Sequence, residues 1–248
     1  MPRKARQISE SGILHIMMRG INKQPIFFQE EHYQYFFYLM RKAKEKCHMA
    51  LYAYCLMPNH THFLIRSFDE NPGKFIHHIG TSYAQHYNKI FSRVGHLFQD
   101  RYKSEVVQND EYFIAILRYI HYNPIKAGLC KQIEEYPWSS FNDYISSVGI
   151  TDTEFAINLF GNQSALLNYH KEAPQENILD ISLKEKPSDE EVITAINHMV
   201  GLTEFHKFDL PEQFNMIRLI KADTNATIDQ LVRHLHISKH FVVKALKK

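Results

Sequence analysis

The sequence predicts an α+β domain, with helices packed on a mostly antiparallel sheet, followed by an all-α C-terminal domain. Strand-like apolar runs and helix-period stretches succeed one another as far as Tyr144, in the order β-α-β-β-α-β-α. Two of those runs, 51–57 and 60–66, are separated only by Pro58 and Asn59, a link that joins antiparallel neighbours. Past Tyr144 the strand-like runs give way to helix and loop.

Each element has a local reason. The run ILHIMM at 13–18 reads as a first strand, ended by Arg19-Gly20. Residues 30–46 carry apolar side chains at helical spacing, and Arg41, Lys42, Lys44 and Lys46 gather late, where cations suit a helix C-terminus. The apolar pair at 51–57 and 60–66 follows as two strands. Pro72-Gly73 breaks the chain, and 74–91 again has helical spacing through Phe75, Ile76, Ile79, Tyr83, Tyr87 and Ile90. Residues 104–107 form a short strand. Asp110 is expected to cap a helix that runs to Tyr122 and stops at Asn123-Pro124, because a proline disfavours helical geometry in its predecessor. The polar stretch 173–187, with Pro174 and Pro187, is the expected linker, and Ser188-Asp189-Glu190-Glu191 opens a further helix. The expected division is an α+β domain over 1–145, a helical extension and linker over 146–187, and a helical domain over 188–248.

Bulk composition sets bounds. With 44% hydrophobic and 13% aromatic residues, the chain of 248 can bury a core, which argues against wholesale disorder. Cys47, Cys55 and Cys130 are widely spaced and read as reduced thiols. The basic segment MPRKARQISESG leads into no apolar stretch, so neither a secretory signal nor a membrane span is expected, and the protein is expected in the cytoplasm with the nucleoid. The net charge of +2 is uneven. Residues 1–150 hold 18 Lys+Arg against 13 Asp+Glu, and 151–248 hold 11 against 14, so the N-terminal half is the better partner for a polyanion.

Chemistry-bearing residues sit in that half. His60 and His62 flank Thr61 at the start of a strand, so they share one face while Thr61 takes the other. Two such imidazoles are either part of a metal site or a packed, hydrogen-bonded pair. In LRYIHYNPIKAG, residues 117–128, Tyr119 and Asn123 are four apart and lie on one helix face, which Tyr122 also approaches. Arg19, Asn22 and Lys23 follow the first strand, and Arg101, Tyr102 and Lys103 precede the fourth. Both clusters are candidate phosphate contacts. His77, His78, His86 and His96 show no ligand spacing, and Trp138 reads as a packing anchor.

The histidine–any–histidine strand after MPN, the stretch GHLFQDRYKS at 95–104, and RYIHYNPIKAG followed by YPWSSF at 136–141 together resemble the Y1 transposase family. These are the tyrosine HUH nucleases of IS200-type elements and their repeat-associated relatives. The resemblance spans roughly residues 13–144. It implies a ferredoxin/RRM-like HUH nuclease fold, with His60 and His62 as metal ligands, Asn123 as a third ligand and Tyr119 as the nucleophile. It also implies a divalent cofactor, for which nitrogen and oxygen ligands suit Mg²⁺ or Mn²⁺. The implied activity is cleavage and rejoining of single-stranded or hairpin DNA through a 5′-phosphotyrosine, by a monomer or a homodimer. Thr61 departs from the family, which usually carries a bulky hydrophobe there.

The last segment, TIDQLVRHLHISKHFVVKALKK at 227–248, reads as a helix-turn-helix with His236-Ile237 as the turn and Ser238 as an N-cap. Lys239, His240, Val243, Lys244 and Lys247 would then face a duplex major groove. His236 stands where such turns usually carry glycine. Two further readings compete with the enzyme: a catalytically inactive DNA-binding regulator of the same fold, and a relaxase or replication initiator.

Overall fold

The structure is a computed structural model that describes residues 11–68, 73–99, 101–173, 187–199, 205–224 and 226–246. The chain forms two compact units, which divide between residues 178 and 179. Most of the expected linker, and Lys247, lie outside the described residues.

The first unit is built on four strands: β1 (Ile13–Arg19), β2 (Met49–Met57), β3 (His60–Ser67) and β4 (Lys103–Val106), in the order β2-β3-β1-β4. Every pairing is antiparallel. Along β1 and β3 the apolar side chains alternate between two cores. Leu14, Ile16 and Met18 face the same way as Phe63 and Ile65, and this side is covered by α1 (Glu30–Lys46) and α2 (Gly73–Ile90). Ile13 and Leu64 face the other way, toward α3 (Asp110–Lys126). One irregularity in the β2–β3 register, between Leu51 and Ala53, sets Tyr52 on the α3 side together with Ala53.

Three short helices, α4 (Phe141–Ser146), α5 (Thr153–Phe160) and α6 (Gln163–Tyr169), complete the α3-side core. Tyr144, Ala156 and Leu166 are buried in it. Trp138 stacks on Tyr33 with ring centroids 4.8 Å apart, and its carbonyl accepts from the Leu56 N–H, so it fastens the YPWSSF segment to β2.

The largest departure from expectation is α3. Its N-cap is Asn109, not Asp110: the Asn109 side chain accepts from the Tyr112 N–H at 2.8 Å. At the other end the helix passes through Pro124 to Lys126. A proline removes one intrahelical donor, but its neighbours remain paired. Asn123 C=O accepts from Ala127, and Pro124 C=O accepts from Leu129. The extra turn places Lys126 on the helix.

The second unit is helical: α7 (Asp189–Met199), α8 (Leu210–Thr224), α9 (Ile228–Leu235) and α10 (Lys239–Leu246). Ser188 and Glu191 exchange capping hydrogen bonds at the start of α7, and Ser238 accepts from the Phe241 N–H at the start of α10. His236 takes the left-handed conformation, φ 54°, that ends α9. Histidine reaches that region more readily than most non-glycine residues, which explains how it stands in for a glycine.

Thr61 lies on the α1/α2 side of β3, fully buried, and its hydroxyl has no hydrogen-bond partner among the described residues. An unmet buried hydroxyl costs about 1–3 kcal/mol. Thr61→Val removes it at nearly constant volume, so urea unfolding should show a gain of about 1 kcal/mol. A loss of stability would mean that the hydroxyl is in use.

Candidate functional site

The strand pleat brings the histidines together. His60 and His62 point from β3 toward α3, and their rings meet edge to face with centroids 4.9 Å apart. In the β1–β3 register Met17 pairs with His62 and Arg19 with His60. His15, two residues before Met17 on the same face, is therefore a diagonal neighbour of His62. The two rings stack at 5.2 Å, and His15 Nε2 lies 3.0 Å from His62 Nδ1. Both are fully buried. Burial, then the neighbouring imidazoles and cations, pushes the His62 pKa well below the ordinary histidine value, so His62 is held neutral.

His60 is the more accessible of the β3 pair. Its Nδ1 lies 2.6 Å from Asn59 Oδ1, and the Asn59 Nδ2 donates to the Lys23 carbonyl at 3.1 Å. Asn59 thus ties His60 to the turn at residues 21–23, where Asn22 and Lys23 both adopt left-handed backbone (φ 52° and 58°). Gly20 is required at the base of that turn, because a Cβ there would run into the Gln24 carbonyl oxygen.

From the opposite side α3 presents Tyr119. Its ring approaches His62 edge-on at 5.7 Å and His15 at 5.9 Å, and only 6% of the residue is exposed. One turn on, Asn123 donates its Nδ2 to the Tyr119 carbonyl at 2.9 Å, so Oδ1 is the atom left to serve a ligand. Two turns on, the Lys126 ammonium lies 5.9 Å from the Tyr119 ring centroid. Tyr122 turns to another face, lining a separate groove with Ile125 and Glu134.

The back of α3 is fastened by a buried polar chain. His170 Nδ1 donates to the Leu166 carbonyl at 2.9 Å, so in the neutral ring its Nε2 accepts, here from His121 Nδ1 at 3.0 Å. His121 Nε2 then accepts from the Ser140 hydroxyl at 2.8 Å, and Ser140 Oγ accepts from the Tyr54 N–H at 2.9 Å. This chain links α6, α3 and β2 directly behind Tyr119.

Among the described residues no group of three or more His, Cys, Asp or Glu side chains is arranged to hold a metal ion. A two-histidine site completed by an amide oxygen is a different donor set, and the local hydrogen bonding fits it. Nδ1 of each β3 histidine is engaged, by Asn59 and by His15. The buried Nε2 of His62 has no hydrogen-bond partner among the described residues. A neutral imidazole with Nδ1 held from behind is the form in which histidine ligates metals.

The two clusters expected to contact phosphate converge on this end of the sheet. Arg19 is in register with His60, and its carbonyl accepts from Gln99 N–H; Lys103 pairs with Met17. Arg101 is exposed, and Tyr102 packs partly against the α1/α2 core. Lys239, His240 and Lys244 are exposed on α10 in the second unit, where Lys239 pairs with Asp229 at 3.1 Å. The sequence reading missed His15, Asn59 and Lys126. His15 was signalled by its parity within β1, and Lys126 by its place seven residues after Tyr119; nothing in the sequence marked Asn59.

Fold and site together describe a histidine-pair, single-tyrosine arrangement on an antiparallel sheet. Residues 9–123 match the family model described as Transposase IS200 like. A REP-associated tyrosine transposase of Haemophilus influenzae is 27% identical over 101 residues, which cover 36% of this chain. The chain spans 57% of that relative's length. A solved REP-associated tyrosine transposase bound to a REP hairpin shares the fold, with a TM-score of 0.51 at 19% identity over 59% of this chain and 86% of that one. A transposase structure from Deinococcus radiodurans R1 has a TM-score of 0.34 at 17% identity, over 48% of this chain and 95% of that one.

Burial lowers the His121 pKa well below its ordinary value and that of His170 to about 4. Above pH ~6.5 both folded and unfolded states hold these rings neutral. Below it only the unfolded state takes up the protons, so stability falls with acidification, by about 1.4 kcal/mol per pH unit for each such ring. Urea unfolding followed from pH 7 to pH 4 should show this slope, and His170→Asn, which keeps a donor but cannot titrate, should flatten it.

Proposed function

We propose that this protein cleaves and rejoins single-stranded DNA, presented as a hairpin with an unpaired flank, through a covalent 5′-phosphotyrosine at Tyr119. The observation that carries the reading is the meeting of the Tyr119 ring with His62 and His15, from an opposing helix. The chain's likeness to a transposase solved with a REP hairpin supports hairpin DNA as substrate.

In this reading His60 and His62 Nε2 and Asn123 Oδ1 would hold a divalent cation, Mg²⁺ or Mn²⁺, whose charge would polarise the scissile phosphate and offset its negative charge. The Tyr119 oxygen attacks phosphorus, the bond to the 3′ oxygen breaks, and the phenol proton ends on the released 3′-OH. Lys126 sets positive charge beside the ring that must become a phenolate. Asn123 steadies the tyrosine's own backbone. His15 holds the ring plane and tautomer of His62. Asn59 does the same for His60 and ties it to the Asn22-Lys23 turn, which would meet the DNA backbone. Because the phosphodiester energy is kept in the tyrosyl ester, a different 3′-OH can reverse the step without ATP. Tyr119 meets the histidines of its own chain, which supports action in cis, with or without a dimer. The second unit, with Lys239, His240 and Lys244 on α10, would contact a duplex stem.

Tyr119→Phe should abolish the protein–oligonucleotide adduct on denaturing gels while sparing hairpin binding. Tyr122→Phe should leave the adduct intact; a surviving adduct in the Tyr119 variant with loss in the Tyr122 variant reverses the assignment. His60→Ala and His62→Ala should each remove EDTA-sensitive cleavage. His15→Ala should weaken Mn²⁺ binding, read by calorimetry, by about 10- to 100-fold.

A further inference from the structure

Three of the histidines that show no ligand spacing in the sequence meet in one place. An open groove of about 990 Å³ runs between α2 and the segment that leads into β4. That is at the upper end of the ~300–1,000 Å³ range of ligand sites. One wall is a stripe along α2, with Lys74, His77, His78, Thr81 and Gln85 at successive turns, all exposed. The facing wall carries His96, Phe98, Arg101 and Tyr102. Met18 forms part of the floor. Among the described residues that line the groove there is no Asp or Glu.

Its position matters as much as its lining. Met18 points into the α1/α2 side of the sheet, and the next residue along β1, Arg19, is in register with His60 on the opposite side. The groove therefore opens at the same end of the same strand as the candidate active site, across the thickness of the sheet. Two fixed cations with imidazoles, amides and flat aromatic faces form the combination that tracks a phosphate backbone and stacks unpaired bases.

We propose that this groove binds the unpaired DNA that flanks the hairpin, holding a run of single strand on one face of the sheet while the scissile phosphate sits on the other. The proposal rests on the reading that the protein acts on hairpin DNA.

The test is fluorescence anisotropy of the full chain with a hairpin oligonucleotide that carries, or lacks, an unpaired flank, in EDTA so that binding is read without cleavage. The flank should tighten binding of the unaltered protein. Lys74→Ala should reduce the slope of log K against log salt by about 0.7, the value for one lost single-strand phosphate contact, and only with the flanked hairpin. Gln85→Glu, which places a carboxylate in the groove, should weaken flanked binding several-fold and leave the flankless hairpin unchanged. Both residues are exposed on α2, so the fold is not at stake. Equal effects on the two oligonucleotides, or none on either, would overturn the groove assignment. Flank-dependent binding without a Tyr119 adduct would sink the proposed reaction and leave the groove standing. An adduct with flank-independent binding would do the reverse, and failure to bind either DNA would remove both.

Discussion

The antiparallel register of β1 on β3 is the constraint on which the rest depends. Side chains alternate along a strand, so Met17 opposite His62 commits every residue of both strands to a face. Leu14, Ile16, Met18, Phe63 and Ile65 are thereby given to the core beneath α1 and α2, and His15, His60 and His62 to the side of α3. A slip of one residue would turn the imidazoles into the core beneath α1 and α2 and the apolar set toward α3. The apolar pattern thus holds the histidine cluster in place without any interaction of the histidines themselves, and the His15–His62 hydrogen bond only refines ring orientation.

The second constraint is the clamping of α3. Its front face carries Tyr119, Asn123 and Lys126, and its back is tied through His121 to His170, Ser140 and the β2 backbone. The tautomers in that chain are dictated from the Leu166 carbonyl outward, so the network is directional and works only with neutral rings. A tyrosine opposed to an imidazole pair needs its helix held against translation, and a buried hydrogen-bonded chain does this more specifically than apolar packing. Passage of the helix through Pro124 serves the same end, because it carries Lys126 to the turn where its charge falls beside the phenol.

The site also accepts local costs. His62 Nε2 is buried without a partner among the described residues, and Asn22 and Lys23 hold left-handed backbone beside His60. Such features persist where the surrounding structure over-determines them, and they cluster at functional sites. Thr61 is a different case. It lies on the core side of the same strand, its hydroxyl contributes nothing visible to the site, and nothing in the structure explains its presence there.

Much was legible in the residues alone. Period-two and period-3.6 apolar spacing located all four strands and the three long helices of the first unit to within one to four residues, because burial imposes those periods directly. Parity placed His60 and His62 together, and helical spacing aligned Tyr119 with Asn123. What the sequence alone could not supply was anything that depends on which strand lies beside which. His15 acquires its meaning only because β1, distant in sequence, inserts between β3 and β4. Asn59 looks like a turn residue until the turn at 21–23 folds back onto it, and His77, His78 and His96 look scattered until α2 and the segment before β4 face each other across a groove. Local periodicity determines what each element is and which face it buries; long-range strand order and helix docking, which no local pattern encodes, decided which polar groups share a site.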